Sequence, residues 1–81
     1  MRVRVRYFAA VREALGSEGE ELDVPVGSSV EDLQILLETR HPALAGHRRG
    51  LRFALDLRFA SAEARLREGS EVAFIPPVSG G

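Results

Sequence analysis

Apolar and polar residues alternate from the first position of the chain. Met1, Val3, Val5 and Tyr7 fall on one face of a two-residue period, with Arg2, Arg4 and Arg6 on the other, which predicts a half-buried β-strand at the N-terminus. Phe8 to Leu15 are mostly good helix formers followed by Gly16, so a helix of about two turns with a left-handed stop is expected, stable only if it packs. Ser17 to Glu20 reads as polar loop. Leu22, Val24 and Val26 then alternate with Asp23 and Pro25, which predicts a second strand. Pro25 has no N–H, so that strand lies at an edge or turns this position to solvent.

Ser28 or Ser29 can cap a helix, with Glu31 or Asp32 completing a capping box. Val30, Leu33, Leu36, Leu37 and Arg40 follow helical spacing, apolar except for the last, and His41-Pro42 stops the run. Residues 29–40 are therefore the main helix, its apolar stripe packed on a sheet. Gly46 to Gly50 is a loop between glycines. Leu51, Phe53 and Leu55 alternate, as do Leu57 and Phe59, giving two short strands or one interrupted strand. Glu68-Gly69-Ser70 turns the chain into a last strand, Glu71 to Ile75. Strand, short helix, strand, long helix and several strands, with one helix crossing a mixed sheet that has Val3 and Val5 near its centre, describe an α+β roll.

With 81 residues, 44% of them hydrophobic and 28% charged, the chain reads as a single globular domain spanning 1–81. A core of that size leaves no room for a deep private active site, so function is expected on a surface or in a pocket that a partner completes. There is no cysteine, which removes disulfides, thiolate nucleophiles and cysteine metal sites. No signal peptide and no apolar run near the roughly 20 residues of a membrane span is visible, and a cytoplasmic protein away from membranes is expected. All eleven basic residues are arginines against twelve acids, a balance that gives no support to nucleic-acid binding. The row Arg2, Arg4, Arg6 reads as a solvated sheet surface, with docking of an acidic partner as the second reading. His41 and His47, six apart across Pro42, make a poor metal pair, and no metal site is expected.

The chemistry is at the end of the chain, VAFIPPVSGG. Pro76 and Pro77 have no N–H to continue a ladder and hold the backbone extended. The four residues beyond them reach roughly 13 Å when extended, enough to enter another protein's catalytic pocket. Gly80 and Gly81 carry no Cβ, so they fit a narrow channel and leave the terminal carboxylate unhindered. Such a carboxylate is a poor electrophile until activated, as in an acyl adenylate, after which sulfur or an amine can attack it. A frayed, inert terminus is the bland alternative.

Taken with the first strand and the capped helix, this ending resembles the small subunit of molybdopterin synthase. The likeness runs over essentially the whole chain. Its sharpest parts are Phe8-Ala9-Ala10-Val11-Arg12-Glu13 with Gly16, and Leu66 with Glu68-Gly69-Ser70-Glu71-Val72-Ala73-Phe74-Ile75-Pro76-Pro77-Val78-Ser79-Gly80-Gly81. Two turns depart from the usual pattern. Leu55-Asp56 stands where Val-Asn is common, and Gly69-Ser70 where Gly-Asp is.

The resemblance implies a ubiquitin-like β-grasp fold and a sulfur-carrier role. An adenylating enzyme would use ATP to join Gly81 to AMP, and a sulfurtransferase system would convert it to a thiocarboxylate. The tail, 76–81, would then enter the large subunit and give its sulfur to cyclic pyranopterin monophosphate, in a complex of two small and two large subunits. Gly81 and Gly80 are the implied reactive end. Phe74, Pro76, Pro77, Val78 and Ser79 are the expected partner-binding residues, and no cofactor is expected to stay bound. Acid, base and oxyanion groups must come from the partner, because Ser79 is the only polar side chain on the tail. Two other readings remain open: a carrier for thiamine thiazole synthesis or tRNA thiolation, distinguished by its acceptor, and a β-grasp binding module with an inert Gly-Gly, distinguished by an unchanged mass after activation.

Overall fold

The computed structural model describes residues 1–77. Its elements are β1 (Arg2–Tyr7), α1 (Ala9–Leu15), β2 (Gly19–Asp23), α2 (Val30–Arg40), α3 (Pro42–Ala45), β3 (Arg52–Leu55), β4 (Arg58–Ala60) and β5 (Glu71–Ile75). The five strands form one sheet in the order β2-β1-β5-β3-β4. β1 and β5 run parallel, and the other neighbours are antiparallel. β1 is an inner strand, but the last strand rather than the first takes the middle place. This mixed sheet with helices against one face is the β-grasp arrangement.

Val3, Val5 and Tyr7 point to the helices and are buried, while Arg2, Arg4 and Arg6 face out. α1 stops at Gly16, whose φ of 68° is the left-handed position expected of it. In α2, Ser29 is the N-cap: its hydroxyl accepts from the Asp32 N–H at 3.1 Å, and Asp32 accepts from the Ser29 N–H at 2.9 Å. These bonds hold the Asp32 carboxyl below its ordinary value. Val30, Leu33 and Leu37 are fully buried, and Leu36 packs partly buried against that core.

Three local expectations change. Ser17 to Glu20 is not all loop, because β2 begins at Gly19 and ends at Asp23. Val24 stays buried, its N–H donating to Met1 O and its carbonyl accepting from the Met1 ammonium, each at 2.8 Å. Past Pro25 the pattern fails, and Val26 is 87% exposed. After His41, Pro42 starts the one-turn helix α3, which buries Leu44. Gln34, which lies off the apolar stripe, is also buried, its amide donating to Glu38 at 3.0 Å.

Candidate functional site

β5 carries the chain from the centre of the sheet to the C-terminal segment. Its residues alternate strictly: Val72 and Phe74 are fully buried, and Glu71, Ala73 and Ile75 take the opposite face. The register Val5↔Val72 and Tyr7↔Phe74 fixes that choice. Phe74 lies parallel to Tyr7 with ring centroids 6.2 Å apart and meets Phe53 edge-on at 5.6 Å. It is therefore a core residue, and its expected place on a docking surface is corrected. Pro76, on the same face two residues on, is buried as well. A charge at Phe74 would attack the fold before it touched any interface.

Pro77 is exposed and stands against the loop before β3. Gly50 has φ +77°, and a Cβ added there would lie 3.2 Å from Pro77 Cγ. The loop thus supports the root of the tail where the last described residue leaves the domain. Val78, Ser79, Gly80 and Gly81 lie outside the described residues.

The apolar surface beside this root comes from residues the sequence reading had not selected. Cross-strand register sets Ala73 of β5 opposite Ala54 of β3, Ile75 opposite Arg52, and Phe59 of β4 opposite Ala54, on the outer face. Phe59 is 67% exposed, and Phe8, at the end of β1, is 37% exposed. Each ring carries a guanidinium: Arg52 lies 4.7 Å from the Phe59 centroid and Arg6 lies 5.6 Å from that of Phe8. The signal was present in Phe59, an aromatic next to Arg58. A three-residue strand has too few positions for a period to show which face is wet.

The departures in the two turns are absorbed locally. Asp56 and Leu57, both with positive φ, form the two-residue loop between β3 and β4. The Asp56 N–H donates to Glu71 O at 2.8 Å, and its carboxylate accepts from the Glu71 N–H at 2.9 Å. Ser70 is buried, and its hydroxyl accepts from the Arg67 N–H at 2.8 Å.

Behind Phe74, Tyr7 is braced by the densest polar cluster among the described residues. Its hydroxyl donates to Glu20 at 2.7 Å. The same carboxylate bonds His41 Nε2 at 2.7 Å and accepts from Arg40 at 2.9 Å. Burial raises the Glu20 carboxyl, but the bonds from Tyr7, His41 and Arg40 outweigh it and hold the group below its ordinary value. Burial, then the Glu20 bond, pushes the Tyr7 hydroxyl well up, so it remains a donor. His41 is thereby occupied in a structural bond. No group of three metal-ligating side chains occurs among the described residues. The groove between the end of β2 and α2 is lined by Val24, Pro25, Ile35 and Leu36, and its Asp32 is spent on the helix cap. No described helix is long and apolar enough to cross a membrane.

The profile of the ThiS family matches residues 5–81. The whole chain is 39% identical to the molybdopterin synthase sulfur carrier subunit of Mycobacterium tuberculosis, covering 99% of that protein. It is 38% identical to the molybdopterin synthase sulfur carrier subunit of Homo sapiens, over 98% of this chain and 93% of that one. Among solved structures, SAMP1 from Haloferax volcanii superposes with a TM-score of 0.91 at 27% identity, all of both chains being covered.

Proposed function

The chain belongs to the ThiS family, and we propose that it is the sulfur carrier subunit of a molybdopterin synthase. The observation that carries this reading is the path of the chain: the central strand β5 runs through a buried Phe74 and Pro76 to an exposed Pro77, after which the sequence reads VSGG. A rigid root followed by residues without bulk suits delivery of a reactive end into another protein's pocket. Whole-length likeness to proteins named as sulfur carrier subunits supports the same conclusion.

A carboxylate oxygen of Gly81 attacks the α-phosphorus of ATP on an adenylating enzyme, and pyrophosphate leaves. Hydrosulfide, or an enzyme persulfide whose S–S bond a thiol then reduces, attacks the acyl carbon, AMP leaves, and a thiocarboxylate remains. In the large subunit the sulfur bonds to carbon of cyclic pyranopterin monophosphate, water cleaves the acyl–sulfur bond to return the Gly81 carboxylate, and two such transfers build the dithiolene. Gly80 keeps the approach narrow, while Val78, Ser79 and Pro77 line the tail along the partner. The partner supplies the acid and base groups, in an assembly of two small and two large subunits. The docking face is the outer-face patch of Phe8, Phe59 and Ile75, with Ala54 and Ala73 between. Phe59→Ala removes the exposed ring from that interface; it weakens the complex at least tenfold in a binding titration and leaves the thermal melt of the isolated domain unchanged.

The direct test is intact-mass spectrometry of the full chain after incubation with its adenylating enzyme, ATP and a sulfur donor. Exchange of one oxygen for sulfur at Gly81, followed by molybdopterin formation with purified large subunit, is the expected result. A mass that never changes would overturn the proposal.

A further inference from the structure

Three arginines project in a row from β1, and the fold treats them differently. Arg2 meets Asp23 at 3.5 Å, and Arg4 meets Glu21 at 3.9 Å and Glu71 at 3.8 Å. Arg6, next in the row, has no ion pair and no side-chain hydrogen bond among the described residues. Arg52, on the far side of β5, has none either. These two are also the cations laid over exposed rings, Arg6 on Phe8 and Arg52 on Phe59. Along β5 they stand beside Ala73 and Ile75 respectively. Two strand spacings, about 10 Å, separate β1 from β3, so the two arginines stand on either side of β5.

The energetics of that arrangement point outward. A guanidinium resting flat on a ring has lost part of its rotamer freedom and still presents its edge N–H groups. Its fork matches a carboxylate bidentately. Arg2 and Arg4, at the other end of the same strand, already face carboxylates at 3.5 to 3.9 Å, which offset the charge they present. Between the two cations the surface is apolar, formed by Ala73, Ile75 and Ala54, and the ring of Phe59 on β4 extends it beyond Arg52.

We infer that Arg6 and Arg52 are the charge-reading elements of the docking face, and that the large subunit covers it with an apolar patch flanked by two carboxylates. The inference rests on the proposed function and adds to it the chemistry of the partner surface. A phosphate backbone fits less well: it would leave the apolar centre uncovered, and Glu71 on the same face would repel it. Charge at the rim of an interface acts first on encounter, so the pair chiefly sets the association rate and its salt dependence.

The experiment is stopped-flow association of the full chain with its purified large subunit at low and high salt. The variants are Arg6→Gln/Arg52→Gln, Arg2→Gln/Arg4→Gln and Arg52→Lys. All are surface changes, and matched melting curves establish that each variant is folded. The 6/52 double variant should associate about tenfold more slowly at low salt and lose most of the salt dependence. The 2/4 double variant should stay within about twofold of the unaltered chain. Arg52→Lys should retain the salt dependence and dissociate faster, because it keeps the charge without the fork. Equal rates for the 6/52 variant and the unaltered chain, or an equal loss in the 2/4 variant, would overturn the inference while leaving the carrier function standing. Failure of the unaltered chain to bind the large subunit would overturn both. Slowed binding to single-stranded RNA in the 6/52 variant, with protein association unchanged, would reassign the pair to phosphate.

Discussion

Gly50 shows how one residue can aim a tail it does not belong to. Its φ of +77° disfavours any L side chain, by about 1–2 kcal/mol. Gly69 shares that cost at φ +81° but has open space where a Cβ would stand. Only at Gly50 would the added carbon press on Pro77. Gly50→Ala and Gly69→Ala should therefore lose similar stability in denaturant melts, while only Gly50→Ala lowers the turnover of sulfur transfer at saturating large subunit. A misplacement of about 1 Å can cost roughly 100-fold in rate. Equal activity in the two variants would remove the loop from the account. No sequence pattern announces this pairing, since residues 50 and 77 meet only through the return of β3 beside β5. Phe74 was opaque for a related reason. Alternation gave the two faces of β5, but only the register with Tyr7 decides which is dry.

At the scale of elements, legibility follows how many signals coincide. α2 was plain because a capping box, an apolar stripe and a His-Pro stop agree on its limits. β2 was misread at its start because Glu20 faces the helices opposite Val5, where an apolar residue would complete the pattern. The fold satisfies that carboxylate with Tyr7, His41 and Arg40 instead. The folded carboxyl lies below its ordinary value of 4.5. Its stabilisation is thus fully present above that pH and is lost as pH falls through the lower folded value. Glu20→Gln should cost about 1–2 kcal/mol at neutral pH and make stability fall less steeply on the acid side of pH 4.5. Parallel acid limbs for the two proteins, in denaturant melts across pH, would contradict that assignment.

For the molecule as a whole, the described residues form a small packed core that ends at the exposed Pro77. Leu33, fully buried on α2, and Phe74, fully buried on β5, hold the helix layer to the sheet. Leu33→Ala should cost about 2–5 kcal/mol and Phe74→Ala about 3–5, against a total near 5–15 for such a domain. Equilibrium unfolding of each variant measures this. Residues near the terminus should behave in the opposite way. Deleting Gly81 should leave the described core folded, but it withdraws the carboxylate by one residue, roughly 3.3 Å. The decisive measurement is molybdopterin formation by purified large subunit supplied with the thiocarboxylated full chain or with the thiocarboxylated Gly81-deleted chain, folding and complex formation being checked in parallel. The account predicts that the shortened chain folds, binds and transfers no sulfur; full activity from it would contradict the central claim that the terminal glycine carries the chemistry.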